Sequence, residues 1–244
     1  MIRYLLLCCL FLTVAFQASF GQLEIKQQPK KKSGWTQQKM ATQVALEFTR
    51  NQSFRTLVPN AEFLNTPLGE RANETPSTLW SYGLGIQTGL GKWVRFESGL
   101  LWLQQGEQYA FNDPNSDSSL NYTNRYRYLG LPLALNLQYG SSFRVFVGAG
   151  IAPMIFNRSI QQINWSTAVG ANEKETLKVK NNDFSSAVFQ VYFQGGIQYT
   201  GEKGWGMILK AVYRQQLSNT YGKYNAYIHK ANAMGFTLGI SKTF

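Results

Sequence analysis

The chain contains a single histidine, His229, which is the first residue to consider for acid–base chemistry. An imidazole base activates a nucleophile only when a serine or an orienting acid stands within reach, as in H-x-S or H-x-H arrangements. The surrounding NAYIHKAN contains neither. Tyr227 and Lys230 lie within it, and Tyr224 comes directly before it. We interpret His229 as an interfacial loop residue and predict no enzyme activity. Catalysis through His229 is the alternative.

Metal and cofactor chemistry lacks its usual residues in this chain. Both cysteines, Cys8 and Cys9, lie in an N-terminal apolar segment that we expect to be removed. One histidine without thiolates or a spaced carboxylate cluster does not make a zinc or calcium ligand set. The glycines recur with a period of two, unlike the G-x-G-x-x-G turn that binds phosphates. The sequence therefore predicts no disulfide, no metal and no cofactor.

Residues 1–21 are typical of a secretory signal peptide. Arg3 precedes an apolar run over residues 4–16, which is too short for a comfortable membrane span. The small residues Ser19 and Gly21 then occupy the −3 and −1 positions of a cleavage site. We expect export of the chain and a mature start at residue 22.

Residues 22–39 predict a flexible basic lead-in, because KQQPKKKSGWTQQK has too few apolar groups to order itself. Removing residues 1–21 takes away one arginine and no acid, so the formal charge falls from +11 to +10. Export argues against nucleic acid as the partner of this charge. We expect anionic lipid or lipopolysaccharide instead, with improved solubility as the alternative.

From Met40 onward the hydrophobic period is two, which predicts β-strands. In YLGLPLALNLQYG the leucines hold the odd positions, and small or polar residues hold the even ones. Short glycine-bearing turns at 91–93, 140–142 and 201–204 suit hairpins, and longer connectors run approximately over 51–78, 112–124, 157–183 and 218–231. Eight such segments predict one domain, 40–244: they cover 40–50, 79–91, 94–111, 125–140, 143–156, 184–200, 205–217 and 234–244.

Two architectures close eight antiparallel strands: soluble carriers hide apolar side chains inside, whereas outer-membrane barrels turn them toward lipid. Residue size separates the two. The polar parity is mostly Gly, Ala, Ser, Thr, Gln and Asn, which suit a narrow interior, and the other parity is Leu, Val, Ile, Phe and Trp. We predict an all-β fold, an eight-stranded antiparallel up-and-down transmembrane β-barrel. A soluble lipocalin-like carrier is the alternative.

Charged residues on the polar parity are candidates for the barrel interior. In a narrow bore, acids and bases must pair or hold water. We predict a polar plug that fills the bore and fixes the register, because eight strands leave little room for an aqueous path. A conducting or catalytic lumen is the alternative. The plug residues are Glu47, Arg95, Glu97, Arg144, Lys210 and Arg214.

Aromatic residues cluster near the segment ends, where amphipathic rings prefer the headgroup level of a membrane. Two girdles are the interpretation; ordinary enrichment of aromatics in strands is the alternative. The candidate rings are Trp80, Tyr82, Trp93, Trp102, Tyr109, Tyr126, Tyr128, Tyr139, Tyr199, Trp205 and Tyr213.

The final segment MGFTLGISKTF ends on Phe244, and with YLGLPLALNLQYG and a mature start at Gln22 it resembles small bacterial outer-membrane β-barrels. The finer similarity is to the PorT-like barrels of Bacteroidota. The resemblance implies that Phe244 marks the chain for the barrel-assembly machinery, that both termini face the periplasm and that the long connectors face outward. It also implies a structural or interaction role with an envelope protein, which includes support of type IX secretion. A lipid-modifying barrel enzyme is the alternative.

Overall fold

The computed structural model describes residues 41–61, 72–112, 115, 118–166, 172–179, 183–222 and 225–244. The signal peptide at 1–21, the lead-in at 22–39 and Met40 lie outside these described residues, so their assignments stay predictions. No helix in this part of the chain is long and apolar enough to cross a membrane.

The described residues form ten strands. Their bounds are β1 Thr42–Pro59, β2 Glu74–Gly89, β3 Val94–Asn112, β4 Ser119–Gly130, β5 Leu133–Gly140, β6 Phe143–Ser166, β7 Asn172–Val179, β8 Ala187–Thr200, β9 Trp205–Gln216 and β10 Tyr227–Thr243. Every pair is antiparallel, and β7 pairs with β6 alone.

The sheet closes on itself. β1 pairs with both β2 and β10, the order continues through β9, β8 and β6 to β4 and β5, and β3 joins these to β2. The closure between the first and last strands runs from Gln43 opposite Thr243 to Pro59 opposite Tyr227. Closure leaves no free edge in the ring, so the ladder satisfies its backbone groups. The prediction of an eight-stranded antiparallel up-and-down barrel is confirmed.

β4 and β5 occupy one position in the wall, which is why ten strands make an eight-position barrel. Both pair with β3 on one side and β6 on the other. The break falls at Leu131 and Pro132 because proline has no N–H to donate to the ladder. The amide of Leu131 instead donates to the Pro153 carbonyl at 3.0 Å.

The strands extend much further than the alternation predicts. β1 continues to Pro59, β2 begins at Glu74, and β6 runs for 24 residues to Ser166 and pairs there with β7. The connectors predicted at 51–78, 112–124, 157–183 and 218–231 therefore each contain strand residues, and those bounds were wrong. Polar residues occur on both faces of these extensions, so the alternation weakens while backbone pairing continues.

The outer surface near one end of the barrel is apolar, as predicted. Leu135 and Leu137 are 56% and 60% exposed, whereas the intervening Asn136 is 3% exposed. We call this surface the apolar belt; its members include Leu46, Phe48, Leu84, Leu100, Leu129, Val145, Val147, Ile151, Ile155, Phe193, Met207, Leu209, Phe236, Leu238 and Ile240.

The belt lies toward the end of the barrel that carries the short turns and both strand termini, here called the turn end. Gly140 and Gly204 adopt φ values of 116° and 77° in two of these turns, a conformation that glycine enters without steric cost. Trp93 and Tyr139 stack at 5.2 Å beside the turns, and Trp205 is 60% exposed. The opposite end is the loop end.

The assignment of two aromatic residues to the girdles is wrong. Tyr126 and Tyr128 are 2% and 0% exposed and point into the bore. Tyr109 stacks on Tyr122 at 5.0 Å. The even positions of β4 face inward, so Tyr126 and Tyr128 fill the interior. Their position on the strand therefore outweighs the preference of tyrosine for the membrane headgroup level.

The pairing of β2 with β3 is interrupted between Pro76 and Tyr82. Serine hydroxyls accept the amide donors that lose their ladder partners there. The Gln104 amide donates to Ser81 Oγ at 3.1 Å, and the Gly106 amide donates to Ser53 Oγ at 2.9 Å. Small polar side chains therefore keep the wall hydrogen-bonded where the strands separate.

Candidate functional site

A polar network fills the turn-end half of the bore, with Glu97 of β3 at its centre. Lys210 Nζ from β9 donates to Glu97 Oε1 and lies 2.9 Å from it, and the same nitrogen lies 2.9 Å from Glu47 Oε1 of β1. Glu97 Oε2 accepts hydrogen bonds from amides on three further strands: Gln87 at 3.1 Å, Asn136 at 2.9 Å and Gln194 at 2.9 Å. This inner polar network thus ties six wall positions together.

A second set of polar contacts lies closer to the turns. Gln43 Oε1 accepts from Arg95 Nη1 at 3.0 Å and also from the Gln198 amide. Arg144 Nη2 donates to Thr200 Oγ1 at 2.6 Å. Neither arginine forms an ion pair with an acid among the described residues. They are held by neutral acceptors.

Arg214 lies on the other side of Lys210, toward the loop end of β9, and is 6% exposed. Its guanidinium lies over the ring of Tyr192, 5.1 Å from the centroid, an arrangement that attracts a cation electrostatically. Its Nε and Nη1 have no hydrogen-bond partner within the described part of the chain. A cavity of about 20 Å³ lies beside it and touches Glu47 and Lys210, which is room for about one water molecule.

The structure places all six predicted plug residues in the interior but brings only three of them into mutual contact. Glu47, Glu97 and Lys210 form one ion-paired group, whereas each of the three arginines stands apart with its own neutral or aromatic partner. Whether the group acts as a plug remains a proposal.

An apolar layer crosses the middle of the bore, and the sequence reasoning missed it. Its larger members are Leu101, Leu103, Tyr128, Met154, Val188, Tyr192 and Val212. In GLLWL and APMIF both parities are apolar, so alternation cannot tell inward residues from outward ones. A run of residues that is apolar on both parities was the signal that could have indicated an apolar layer inside the bore.

A second polar group, here called the Glu107 cluster, lies in the loop-end half of the bore. Glu107 Oε1 accepts hydrogen bonds from Asn124 Nδ2 at 2.8 Å and from the Tyr126 hydroxyl at 2.9 Å. Arg55 Nη1 approaches the same oxygen at 3.4 Å and also pairs with Glu74. Glu107 itself is 2% exposed, so these donors replace the water that a carboxylate normally binds.

His229 belongs to this cluster, and its prediction as an interfacial loop residue is wrong. β10 begins at Tyr227, and His229 points inward with no exposed surface. Its Nε2 lies 3.5 Å from Glu107 Oε2, and its ring packs between Tyr126 and Tyr221 at 5.1 and 5.2 Å. An imidazole enclosed in this way cannot meet a lipid substrate unless the cluster opens.

The cluster residues on β1 and β3 also escaped the sequence reasoning. Arg55 fell in a predicted connector, and Glu107 lay where polar residues occupy both parities. Asn51 and Ser53 face inward at odd positions of β1, and Arg55 is the next odd position, so it also faces inward. This follows only because β1 continues to Pro59, which the sequence did not predict.

Burial by itself would raise the pKa of Glu107, but the neighbouring His229 and Arg55 and the amide of Asn124 lower that pKa below its usual range. The stability from these contacts is therefore present above the unfolded-state pKa, about 4.3. It is lost as the pH falls through the lower folded-state pKa. The cluster is thus a source of acid-sensitive stability at the loop end.

We expect Glu107→Gln to reduce the acid sensitivity of the barrel. The melting temperature in detergent, followed by circular dichroism, should fall between pH 5 and pH 3 by less in the variant than in the native chain. Glu202→Gln, in an exposed turn, is the control and should keep the native drop. An equal drop in all three proteins would contradict a charged Glu107 in the folded state.

The barrel is similar to solved structures of small barrels at low identity. Outer membrane protein OprG from Pseudomonas aeruginosa is 13% identical with a TM-score of 0.48, covering 84% of this chain and 96% of that chain. Outer membrane protein AlkL, solved in lipid bilayers, is 17% identical with a TM-score of 0.42 and coverages of 91% and 97%. Neisserial surface protein A is 10% identical with a TM-score of 0.41 and coverages of 84% and 99%.

No protein-family model and no curated protein sequence matches the chain. Structural likenesses of this degree carry no argument about function. The barrel assignment therefore rests on the closed set of strand registers in the chain itself.

Proposed function

We propose that this chain is an integral outer-membrane β-barrel whose closed, filled cylinder anchors it in lipid and whose loop-end extensions bind another component of the cell envelope. The observation that carries the proposal is the apolar belt. On β10 the four outward residues Met234, Phe236, Leu238 and Ile240 are each 55–69% exposed. In water such a surface far exceeds what a soluble monomer normally shows, whereas lipid would cover it.

The dimensions of the belt agree with a bilayer. A membrane strand needs about 9–11 tilted residues. The stretch from Met234 to Phe244 has that length. Beyond the belt, the next residues on the same parity of β10 are polar: Asn232, which is buried, and the half-buried Lys230. The closed ring also meets the requirement that backbone groups within hydrocarbon be paired.

The filled bore favours an anchoring and binding role over transport or catalysis. Side chains of the inner polar network, the apolar middle layer and the Glu107 cluster follow one another along the axis. An eight-stranded barrel is just wide enough for such filling. The plug of Glu47, Glu97 and Lys210 would then fix the register of distant strands.

The direct test of membrane embedding uses spin labels at adjacent β10 positions. Leu238 is 59% exposed and Thr237 is fully buried, so cysteine variants of the two sample opposite faces of one strand. In reconstituted bilayers, a label at 238 should collide with dissolved oxygen in the acyl chains, and a label at 237 should not. Reversed accessibilities would overturn the proposal, as would recovery of the native protein in a detergent-free periplasmic wash.

In this proposal the turn end and both barrel termini face the periplasm, and the loop end faces outward. The extensions of β3, β4 and β6 with the β7 hairpin then form the exterior surface available to an envelope protein. The resemblance to PorT-like barrels narrows the candidate partner to the type IX secretion apparatus. Loss of type IX cargo export on deletion of the gene, restored by the native chain, would support that role; unchanged export would exclude it.

Phe244 is proposed as the assembly signal for the barrel-assembly machinery. Its side chain is 78% exposed, and its amide donates to the Thr42 carbonyl at 2.9 Å at the closing seam. We expect Phe244→Ala to lower the amount of barrel in the outer membrane severalfold while leaving its refolded stability nearly unchanged.

The matched control for that variant is Phe236→Ala, because Phe236 is also an exposed phenylalanine and lies within β10, away from the chain end. Quantitative blots of outer-membrane fractions should show normal levels for Phe236→Ala. Equal losses in both variants would indicate a general packing defect and contradict a signal specific to the terminus.

A further inference from the structure

Three arginines form a compact basic patch on the outer surface of the barrel. Arg127 of β4 stands directly opposite Arg158 of β6, and Arg125 lies two residues further along the same face of β4. Directly opposite residues in an antiparallel pair have Cβ atoms about 4.5–5.5 Å apart. The three guanidinium groups therefore share one small area of surface.

A β-bulge creates the patch. Between the pairs Tyr128–Phe156 and Arg127–Arg158 the register shifts, so Asn157 is the extra residue in β6. Ile155 faces outward, and strict alternation would therefore turn Arg158 inward. The extra residue reverses the parity: Ser159 is buried and Arg158 faces outward beside Arg127. Bulges commonly re-aim side chains in this way near functional sites.

The patch sits at the edge of the apolar belt on the loop-end side. The next outward pair toward the turns is Leu129 opposite Ile155, which are 45% and 51% exposed. Lys178 of β7 extends the positive charge, because it stands opposite Ile160, which itself stands opposite Arg125. Cationic groups therefore border the belt immediately above exposed aliphatic side chains.

Within the described part of the chain, the patch has no counter-charge of its own. Over the described residues, no acid forms an ion pair with Arg125, Arg127 or Arg158, and the Nε of each lacks a hydrogen-bond partner. Like charges placed directly opposite each other destabilise a sheet, so an anion from outside the chain would relieve this repulsion.

We propose that Arg125, Arg127 and Arg158 bind the phosphate group of a membrane lipid whose acyl chains lie along Leu129 and Ile155. The inference rests on the proposed membrane embedding of the belt. Guanidinium groups match phosphate geometry through paired hydrogen bonds. When the acyl chains of a lipid cover the belt, its phosphate lies at the level of the patch. A freely diffusing phosphate would not need the exposed aliphatic side chains beside the arginines, so the arrangement favours a lipid.

The test is native mass spectrometry of the full barrel released from detergent with added lipid A carrying both phosphates. The native chain should retain one lipid A, and Arg127→Gln/Arg158→Gln should reduce the bound fraction at least tenfold. The native chain should retain no more dephosphorylated lipid A than the double variant retains of phosphorylated lipid A. Arg50→Gln, at an exposed outward position on β1, is the matched control and should bind normally.

Three results would overturn the proposal: equal retention by the double variant, equal loss in Arg50→Gln, or full displacement of lipid A by millimolar inorganic phosphate. The last would indicate a site for a soluble anion. A second readout does not depend on lipid: in an uncharged maltoside detergent, Arg127→Gln should raise the melting temperature because it removes like-charge repulsion, and a lowered value would contradict the unpaired patch. The spin-label contrast between residues 237 and 238 tests embedding separately, so failure of one proposal is distinguishable from failure of the other.

Discussion

Replacing Lys210 by methionine should lower the free energy of unfolding of the barrel by about 3–5 kcal/mol, the range for breaking one partner out of a buried ion pair. Lys210 is 3% exposed, and its Nζ lies 2.9 Å from both Glu47 and Glu97. Methionine has a similar length but no charge, so two carboxylates would be left facing each other. Urea unfolding in lipid vesicles, followed by tryptophan fluorescence, measures the change.

A double variant separates loss of the cation from loss of packing. Adding Glu97→Gln to Lys210→Met removes the deeper unpaired carboxylate and keeps an amide that can contact Gln87, Asn136 and Gln194. We expect the double variant to recover more than half of the lost stability. Lys203→Met, in an exposed turn, should lie within about 0.5 kcal/mol of the native chain. A double variant as unstable as the single one would show that charge pairing is not what Lys210 contributes.

The second large effect is expected on the outer face. Leu238→Arg should cost about 2–4 kcal/mol in a bilayer, because a charged side chain near the midplane of a barrel wall is destabilising to that extent. Leu238 is 59% exposed and lies between Phe48 of β1 and Leu209 of β9, both members of the belt. The measurement is again urea unfolding in vesicles of a defined lipid.

Gln52→Arg is the control because it adds the same side chain to the same outer surface at a different depth. Gln52 is exposed and stands opposite Met234, at the loop-end edge of the belt. The depth dependence of lipid-facing arginine predicts a cost of about 0–1 kcal/mol there. Equal costs at the two positions would argue that the belt does not sit in hydrocarbon.

Much of the barrel was predictable because, within the apolar belt, apolar outward residues alternate in the sequence with small or polar inward residues. Parity and residue size alone predict that Leu135 faces outward and Asn136 inward. The short glycine-bearing connector predicts the turn that Gly140 begins. Beyond the belt this signal ends. Arg55 and Glu107 lie on paired strands, but water on one side and a polar interior on the other favour the same residue types on both faces.

The contents of the bore were only partly predictable for the same reason. Parity assigned Glu47, Glu97 and Lys210 inward, but it could not say that they meet, since Lys210 and Glu97 are separated by 113 positions. It also assigned no side to Leu101 and Leu103, where neighbouring residues on both parities are apolar.

The amino-acid order alone thus predicted eight strands and the sidedness of the barrel wall, because local alternation encodes which face is apolar. The tertiary structure decided which charges meet in the bore, why His229 is enclosed beside Glu107, and how one extra residue at Asn157 turns Arg158 to the outside. Those outcomes depend on the register between strands that are distant in the chain. That register is set by closure of the whole sheet, which no local pattern contains.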